Sequence, residues 1–378
     1  MAVQNGKNYF QLCFCFYNLT GLRKSSTFLQ KFVSMCILYP LLMIFYFMVI
    51  FNLRYKHSDI FDFAEVFNSL FAFGYLICRK TLLLVHGSLF EEMIEEYSQF
   101  WTYDLFGTSA KYSCEKNMAL SLSAIKLFLI GGAVSSVVHF TAPFYIEEYS
   151  LPHACWIPGN SFAARISLYT LETIFYIEIV VIVVAFDGFY LLMCSNLKIQ
   201  FALLCKAVRS IQLGTNNNKV HEEVCWKNLK EFCEYHVFLL SMHKKLNKVF
   251  SEFFICQYFF TIGGTCISLF VIFDKSSNMT QLIESICFAA LSYTLVTITF
   301  IPAGEIEIEA DNLTLEIYNI DWYNTKDLKV WKFVQFWLAQ SQTPVQMSGA
   351  GIVRVNRQVL LQIQRLGFSV ATMLTGLQ

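Results

Sequence analysis

Apolar residues in this chain gather into runs of about twenty, the length a helix needs to cross a bilayer. Seven such runs fall at residues 28–52, 61–85, 117–143, 165–195, 249–273, 281–303 and 345–377. The first is the cleanest, with no charged residue from Met35 to Phe51. Two connections carry a different pattern. In 221–248, Val224, Leu229, Phe232, Val237, Leu240, Leu246 and Val249 recur at spacings near three and four among charged residues. After the sixth run, Val330, Phe333, Val334, Trp337 and Leu338 make a second apolar stripe. That period predicts helices that continue the membrane spans beyond the bilayer. The pattern therefore predicts an all-α membrane protein, one seven-helix domain over residues 1–378. A helical anchor layer is expected from about 196–248 and 304–344.

Composition agrees with the pattern. Charged residues make up 15% of the chain, apolar residues 56% and aromatics 17%, where a soluble protein carries about 25% charge. Net charge is zero, so nothing points to nucleic acid. Lys and Arg in the connections set orientation. Seventeen lie on the side of the N-terminus and four on the other. This predicts a cytoplasmic N-terminus and, with seven spans, an extracellular C-terminus. No signal peptide is expected, since residues 1–27 lack a short apolar core with a cleavage site, and the thirteen cysteines show no CxxC pair. Cys155 is expected to face the outside without a partner.

The inverted orientation argues against a metabotropic seven-helix receptor. An Asp/Glu-Arg-Tyr triplet and an Asn-Pro-x-x-Tyr motif are also missing. Gly-x-Ser-x-Gly, a P-loop and His-Glu-x-x-His are absent too, so no enzyme, cofactor or metal is expected. A transporter would show inverted repeats or broken helix pairs, and the sequence shows neither. Polar residues inside spans need partners. Lys126 and Asp187, at similar depth in the third and fourth spans, are expected to pair, while Glu178 has no evident partner. Gly131-Gly132 and Gly263-Gly264 are expected to permit close helix packing.

The last seventy-five residues contain, in order, Gly304-Glu305, Tyr318 with Trp322-Tyr323, and Leu328-Lys329-Val330-Trp331-Lys332-Phe333. Gln342-Thr343-Pro344 and Gly349-Ala350-Gly351 follow, and then the final apolar run. In composition, order and spacing this series resembles the insect odorant receptors. At 378 residues the chain resembles an odour-tuning subunit and not the longer shared co-receptor.

The resemblance implies an odorant-binding subunit of a ligand-gated, non-selective cation channel. It would assemble with the co-receptor as a heterotetramer in the plasma membrane of olfactory sensory neurons. Its partners would be a small volatile odorant, membrane lipid and permeant cations. A gustatory-type chemoreceptor channel shares the fold and orientation and is told apart by function without the co-receptor. The final helix would line the pore, with Met373 and Leu377 at an apolar gate and Gln378 beside it. On a helical wheel, Arg354, Gln358, Arg365, Ser369 and Thr372 form a polar stripe turned away from that gate. Arg357 lies at a similar angle on the other side of Arg354, and the three arginines are therefore expected against neighbouring helices or a vestibule, near Glu305, Glu307, Glu309 and Asp311.

Family members hold their ligand in the outer half of the bundle. A volatile needs an enclosed apolar cavity with a few polar points. The matching positions here are Phe67, Phe71 and Tyr75 of the second span, and Ser135, Val138 and His139 of the third. The fourth contributes Thr173, Tyr176 and Ile177, and the sixth Phe288, Ser292 and Tyr293. About ten heavy atoms at roughly −0.6 to −0.8 kcal/mol each imply a Kd of about 1 to 40 μM.

Overall fold

The computed structural model describes residues 4–54, 60–145, 151–153, 155–158, 161–211, 219–273, 279–325 and 327–376. These are nearly all helical. Helix α1 is Gln4–Leu19, α2 Phe28–Asn52, α3 Ile60–Glu96 and α4 Gly107–Tyr145. Then come α5 Phe162–Arg209, α6 Lys219–Phe273, α7 Met279–Tyr318 and α8 Leu328–Ser341. A two-stranded hairpin, β1 Ser348–Gly349 with β2 Val353–Arg354, leads into α9, Arg357–Gly376. Among the described residues, α2 to α7 are long and apolar enough to cross a membrane. Below, "upper" denotes the end of the bundle where α3, α5 and α7 begin and α4 and α6 end.

Local chemistry explains several boundaries. Helix α2 opens on a capping box, Thr27 with Gln30, which satisfies two otherwise orphaned backbone donors. Its ladder widens to a π turn at Val33–Leu38, just ahead of Pro40. Proline supplies no N–H to the preceding turn, so the backbone there finds longer-range partners. Pro302 lies inside α7, and the helix continues through it to Tyr318, beyond the apolar run that ends at 303. Ser161 caps α5 by accepting from the Ala164 N–H at 3.2 Å.

Helix α5 is the axis of the fold. From Ile182 to Val208 nearly every side chain is buried. Helix α1, which the hydropathy pattern does not reveal, lies along it. Phe10, Cys13 and Tyr17 form its inward stripe, and Phe10 meets Phe189 at 5.9 Å between ring centroids. Gly188 makes room for this contact, since a Cβ there would sit 3.0 Å from the Cys13 sulfur.

The long lower extensions pack together around buried polar groups that have partners. Tyr235 donates to Gln200 Oε1 at 2.7 Å, and the Gln200 side-chain amide donates to the Trp101 carbonyl at 3.0 Å. Tyr103 donates to Asn196 Oδ1 at 2.8 Å. Trp337 of α8 is fully buried, and its indole N–H donates to His236 Nδ1 at 3.1 Å. Burial depresses the His236 pKa to about 4, so the ring is neutral and accepts at Nδ1.

Residues 345–356 are not helical, unlike the start expected for the last span. Ser348 pairs with Arg354 and Gly349 with Val353. The turn between them holds Ala350 at φ 44° and Gly351 at φ 73°, a left-handed backbone that breaks any helix entering from Pro344. The hairpin is seated on α6. Asn247 Oδ1 accepts the Ser348 N–H at 2.8 Å, and Ser251 Oγ accepts the Ala350 N–H at 2.8 Å. A Cβ on Gly349 would lie 2.9 Å from Ile255. Arg354 therefore belongs to a strand and not to the helical stripe on which it was placed.

Candidate functional site

The upper halves of α3, α6 and α7 meet through aromatic rings. Phe67 packs edge-on against Phe71 at 4.5 Å between ring centroids. Phe71 reaches Phe260 at 5.2 Å and stacks on Phe288 at 6.3 Å. Tyr75 packs edge-on against Phe260 at 5.0 Å, and its hydroxyl lies 3.5 Å from that of Thr261. Gly263 and Gly264 make this possible. A Cβ on Gly263 would stand 2.9 Å from the Phe71 ring, and one on Gly264 2.8 Å from Phe288. Around Gly131 and Gly132, by contrast, nothing lies within 4 Å among the described residues, so that pair makes no close packing with them.

Four of the sequence-predicted residues, Phe67, Phe71, Tyr75 and Phe288, thus come together. Ser292 is buried one turn further along α7. Thr173 and Tyr176 are half-buried on α5. Ile177 and Tyr293 are turned to the outer surface of the chain, 61% and 49% exposed. Ser135, Val138 and His139 lie within α4, but their side chains are outside those described.

The pattern reading missed α6, which supplies Phe260, Thr261, Gly263 and Gly264. It also missed the segment before α5. There His153 packs against Phe73 at 4.9 Å and Tyr176 at 6.0 Å between ring centroids. Its Nδ1 is 3.4 Å from Ser69 Oγ, and its backbone N–H donates to Glu172 Oε2 at 3.2 Å. Glu172 is fully buried. Cys155, expected to have no partner, donates its thiol to Glu172 Oε1 at 3.8 Å. The diglycine was a usable signal for α6. Nothing in the sequence marked the fold-in of residues 151–153 and 155–158.

Two ion pairs join α3 to α5 below the aromatic cluster. Arg79 Nε lies 2.7 Å from Asp187 Oδ2, with side chains 2% and 8% exposed. Lys80 pairs with Glu178. The expected Lys126–Asp187 pair does not form, because Asp187 is taken by Arg79 and Lys126 is exposed on α4. Adjacent Arg79 and Lys80 in the second span were the overlooked signal. Arg79 is also held by the faces of Tyr75 and Phe253, with centroids at 5.0 and 4.8 Å.

Helix α9 buries Leu360, Ile363 and Ala371, and Gly367 approaches Thr265 so closely that a Cβ would be 2.9 Å away. Its opposite face, with Gln358, Gln362, Arg365, Ser369, Thr372 and Met373, is uncovered by the chain's other helices. The polar stripe and Met373 therefore share one broad open face instead of lying apart. Arg357 donates to Glu305 at 2.6 Å, and Lys198 reaches the other Glu305 oxygen at 2.7 Å. The expected acidic partner is thus found for Arg357, whereas Arg365 is exposed. Leu377 and Gln378 lie outside the described residues.

The model of the 7tm Odorant receptor family matches residues 59–368. The chain belongs to that odorant receptor family. Among solved structures, it is similar to that of the insect olfactory receptor OR5 from Machilis hrabei. The TM-score is 0.79 at 11% identity, and each chain is covered completely. The same receptor in complex with eugenol gives a TM-score of 0.73 at 12% identity, again over both whole chains. At such low identity the likeness bears on the fold of this odorant receptor family member. No curated protein matches the chain.

Proposed function

We propose that this odorant receptor family member is an odour-tuning subunit of a ligand-gated cation channel. It holds a small volatile in the upper, extracellular half of its helix bundle. The observation that carries the reading is the aromatic cluster around Phe71, in which three helices meet through rings. Its direct polar contact is the Tyr75–Thr261 pair at 3.5 Å. Such a wall suits an apolar guest with a few polar atoms, and the complex of the Machilis receptor with eugenol supports a small volatile ligand. Phe67, Phe71, Tyr75, Phe288 and Ser292 line the site, with Phe260 and Thr261 added from α6. Thr173, Tyr176 and His153 form the side toward α5, and from α4 the resemblance assigns Ser135, Val138 and His139 to the same site.

The charge bias of the connections supports a cytoplasmic N-terminus and lower end. α2 to α7 with α9 then make seven spans, and the packed lower extensions make the anchor. Co-receptor subunits complete a tetramer, in which the open face of α9 turns to the axis and Met373 and Leu377 form the gate. Apolar side chains converging on an axis shut a pore by dewetting it. Ligand binding opens it to the extent that the open state binds more tightly.

Co-expression with the co-receptor in a surface-verified cell line, under a broad panel of volatiles, tests this. A dose-dependent inward current is expected. A surface-expressed protein that stays silent across the panel overturns the reading. Met373→Ser and Leu377→Ser are each expected to raise basal current or alter permeation, and unchanged gating in both ends the gate assignment.

A further inference from the structure

Helices α3 and α6 run antiparallel and stay in register through a patch of small residues. Phe71 faces Gly263, and Gly74 faces Phe260, where a Cβ would lie 3.3 Å from the ring. One turn further, the same register sets Cys78 opposite Cys256, and the two thiols are near enough to act on each other. Each advance along α3, from 71 to 74 to 78, is matched by an equal step back along α6, from 263 to 260 to 256. The cysteines are therefore the next opposed pair of a continuous interface. Both are free and only half-buried. Glycines at 74 and 263 keep the backbones close, which is the condition a disulfide demands of its two Cα atoms.

We propose that Cys78 and Cys256 form a dithiol modification site, which a peroxide oxidises to a disulfide that staples α3 to α6 beneath the aromatic cluster. One sulfur attacks a peroxide oxygen. The O–O bond breaks, a sulfenic acid forms and the first water leaves. The second thiol attacks that sulfur, the S–O bond breaks, the S–S bond forms and the second water leaves with the remaining thiol proton. Two electrons pass from the thiols to the peroxide, and no other reactant is needed. Hydrogen peroxide is small and uncharged, so it can reach thiols within the span.

The test uses the full chain in lipid nanodiscs, with no odorant and no current measurement, so its outcome is independent of the channel reading. The protein is treated with hydrogen peroxide, its remaining thiols are blocked with N-ethylmaleimide, and non-reduced peptides are weighed. A bridged peptide containing both residues is expected, two hydrogens lighter than its parts. It should be at least tenfold more abundant than after dithiothreitol treatment. It should vanish in Cys78→Ala and in Cys256→Ala, and the wild-type comparison stands if either variant fails to fold. Exposed Cys36 and Cys287 report that oxidant was effective. If these two are oxidised while Cys78 and Cys256 both carry the maleimide, the proposal is overturned. A bridge from either residue to a third cysteine overturns it as well.

Discussion

The lower and upper halves of this bundle are built from the same apolar alphabet but held in different ways. In the lower half, several buried polar groups have directed partners: Tyr190 donates to the Thr299 carbonyl at 3.0 Å, and Tyr235, Gln200 and Trp101 form a chain. Trp337 and His236 join α8 to α6. In the upper half, apart from the contacts of Glu172 with His153 and Cys155, α3, α6 and α7 meet ring to ring around glycines, and α4 leaves Leu127, Ile130, Val134 and Val137 uncovered. Directed bonds are lost when geometry shifts, whereas aromatic contacts accept a range of angles and spacings. A guest can replace a ring contact at little cost, but it cannot replace a satisfied buried network. The contrast separates a scaffold from a place where something can bind. The ion pairs of Arg79 and Lys80 mark the boundary between them.

Breaking that boundary gives the largest expected effect. Asp187→Ala leaves the Arg79 guanidinium buried without its counter-charge, which costs about 3–5 kcal/mol. Thermal unfolding in detergent and surface abundance should both fall steeply. Arg79→Met combined with Asp187→Leu should recover most of the loss, since an apolar pair leaves no orphaned charge.

The next effect concerns the lower half alone. His236 is held neutral by burial, with its pKa lowered from 6.5 to about 4. The unfolded chain therefore binds a proton between pH 6.5 and 4 that the folded chain refuses. Stability is full above pH 6.5, falls as pH drops toward 4, and levels off below. The loss from this residue is about 3 kcal/mol. His243, two turns along α6, is also lowered to about 4 by burial and adds in the same direction. A scan of unfolding temperature against pH should show a weaker acid decline in His236→Gln than in the parent.

In the upper half, Gly264→Ala should cost about 1–3 kcal/mol, because its methyl must displace the Phe288 ring. It should also change ligand sensitivity. Gly131→Ala, with open space around it, should shift stability by less than about 1 kcal/mol. Equal effects in the two variants would erase the distinction between a packed and an unpacked glycine pair. The smallest expected change is Tyr75→Phe. It removes a 3.5 Å contact worth under about 1 kcal/mol, so unfolding should barely move while the response to oxygen-bearing volatiles weakens.

The legible parts of this molecule were those written in local periodicity. Apolar runs marked α2 to α7, and the amphipathic stripe through Trp337 marked α8. Phe67, Phe71 and Tyr75 were legible as one face because four residues make roughly one turn. Other features were hidden for physical reasons. Helix α1 buries only a narrow stripe and has no membrane-like run. The hairpin at Ser348–Arg354 depends on two positive-φ residues and on caps from Asn247 and Ser251, about a hundred positions away in sequence. Arg357 was expected near acid and found it at Glu305.

Composition and period by themselves determined that this chain is helical, apolar and built to span a membrane, because backbone groups in lipid must be satisfied within each helix. The tertiary structure decided which partners meet. Asp187 and a cation at matching depth were visible in the sequence, yet helix rotation gave Asp187 to Arg79 and left Lys126 outside. The same packing chose Gly263-Gly264 over Gly131-Gly132 as the close contact and brought α6 to the ring cluster. Burial and pairing are set by rotation and register between helices, and no single helix carries that information in its own period.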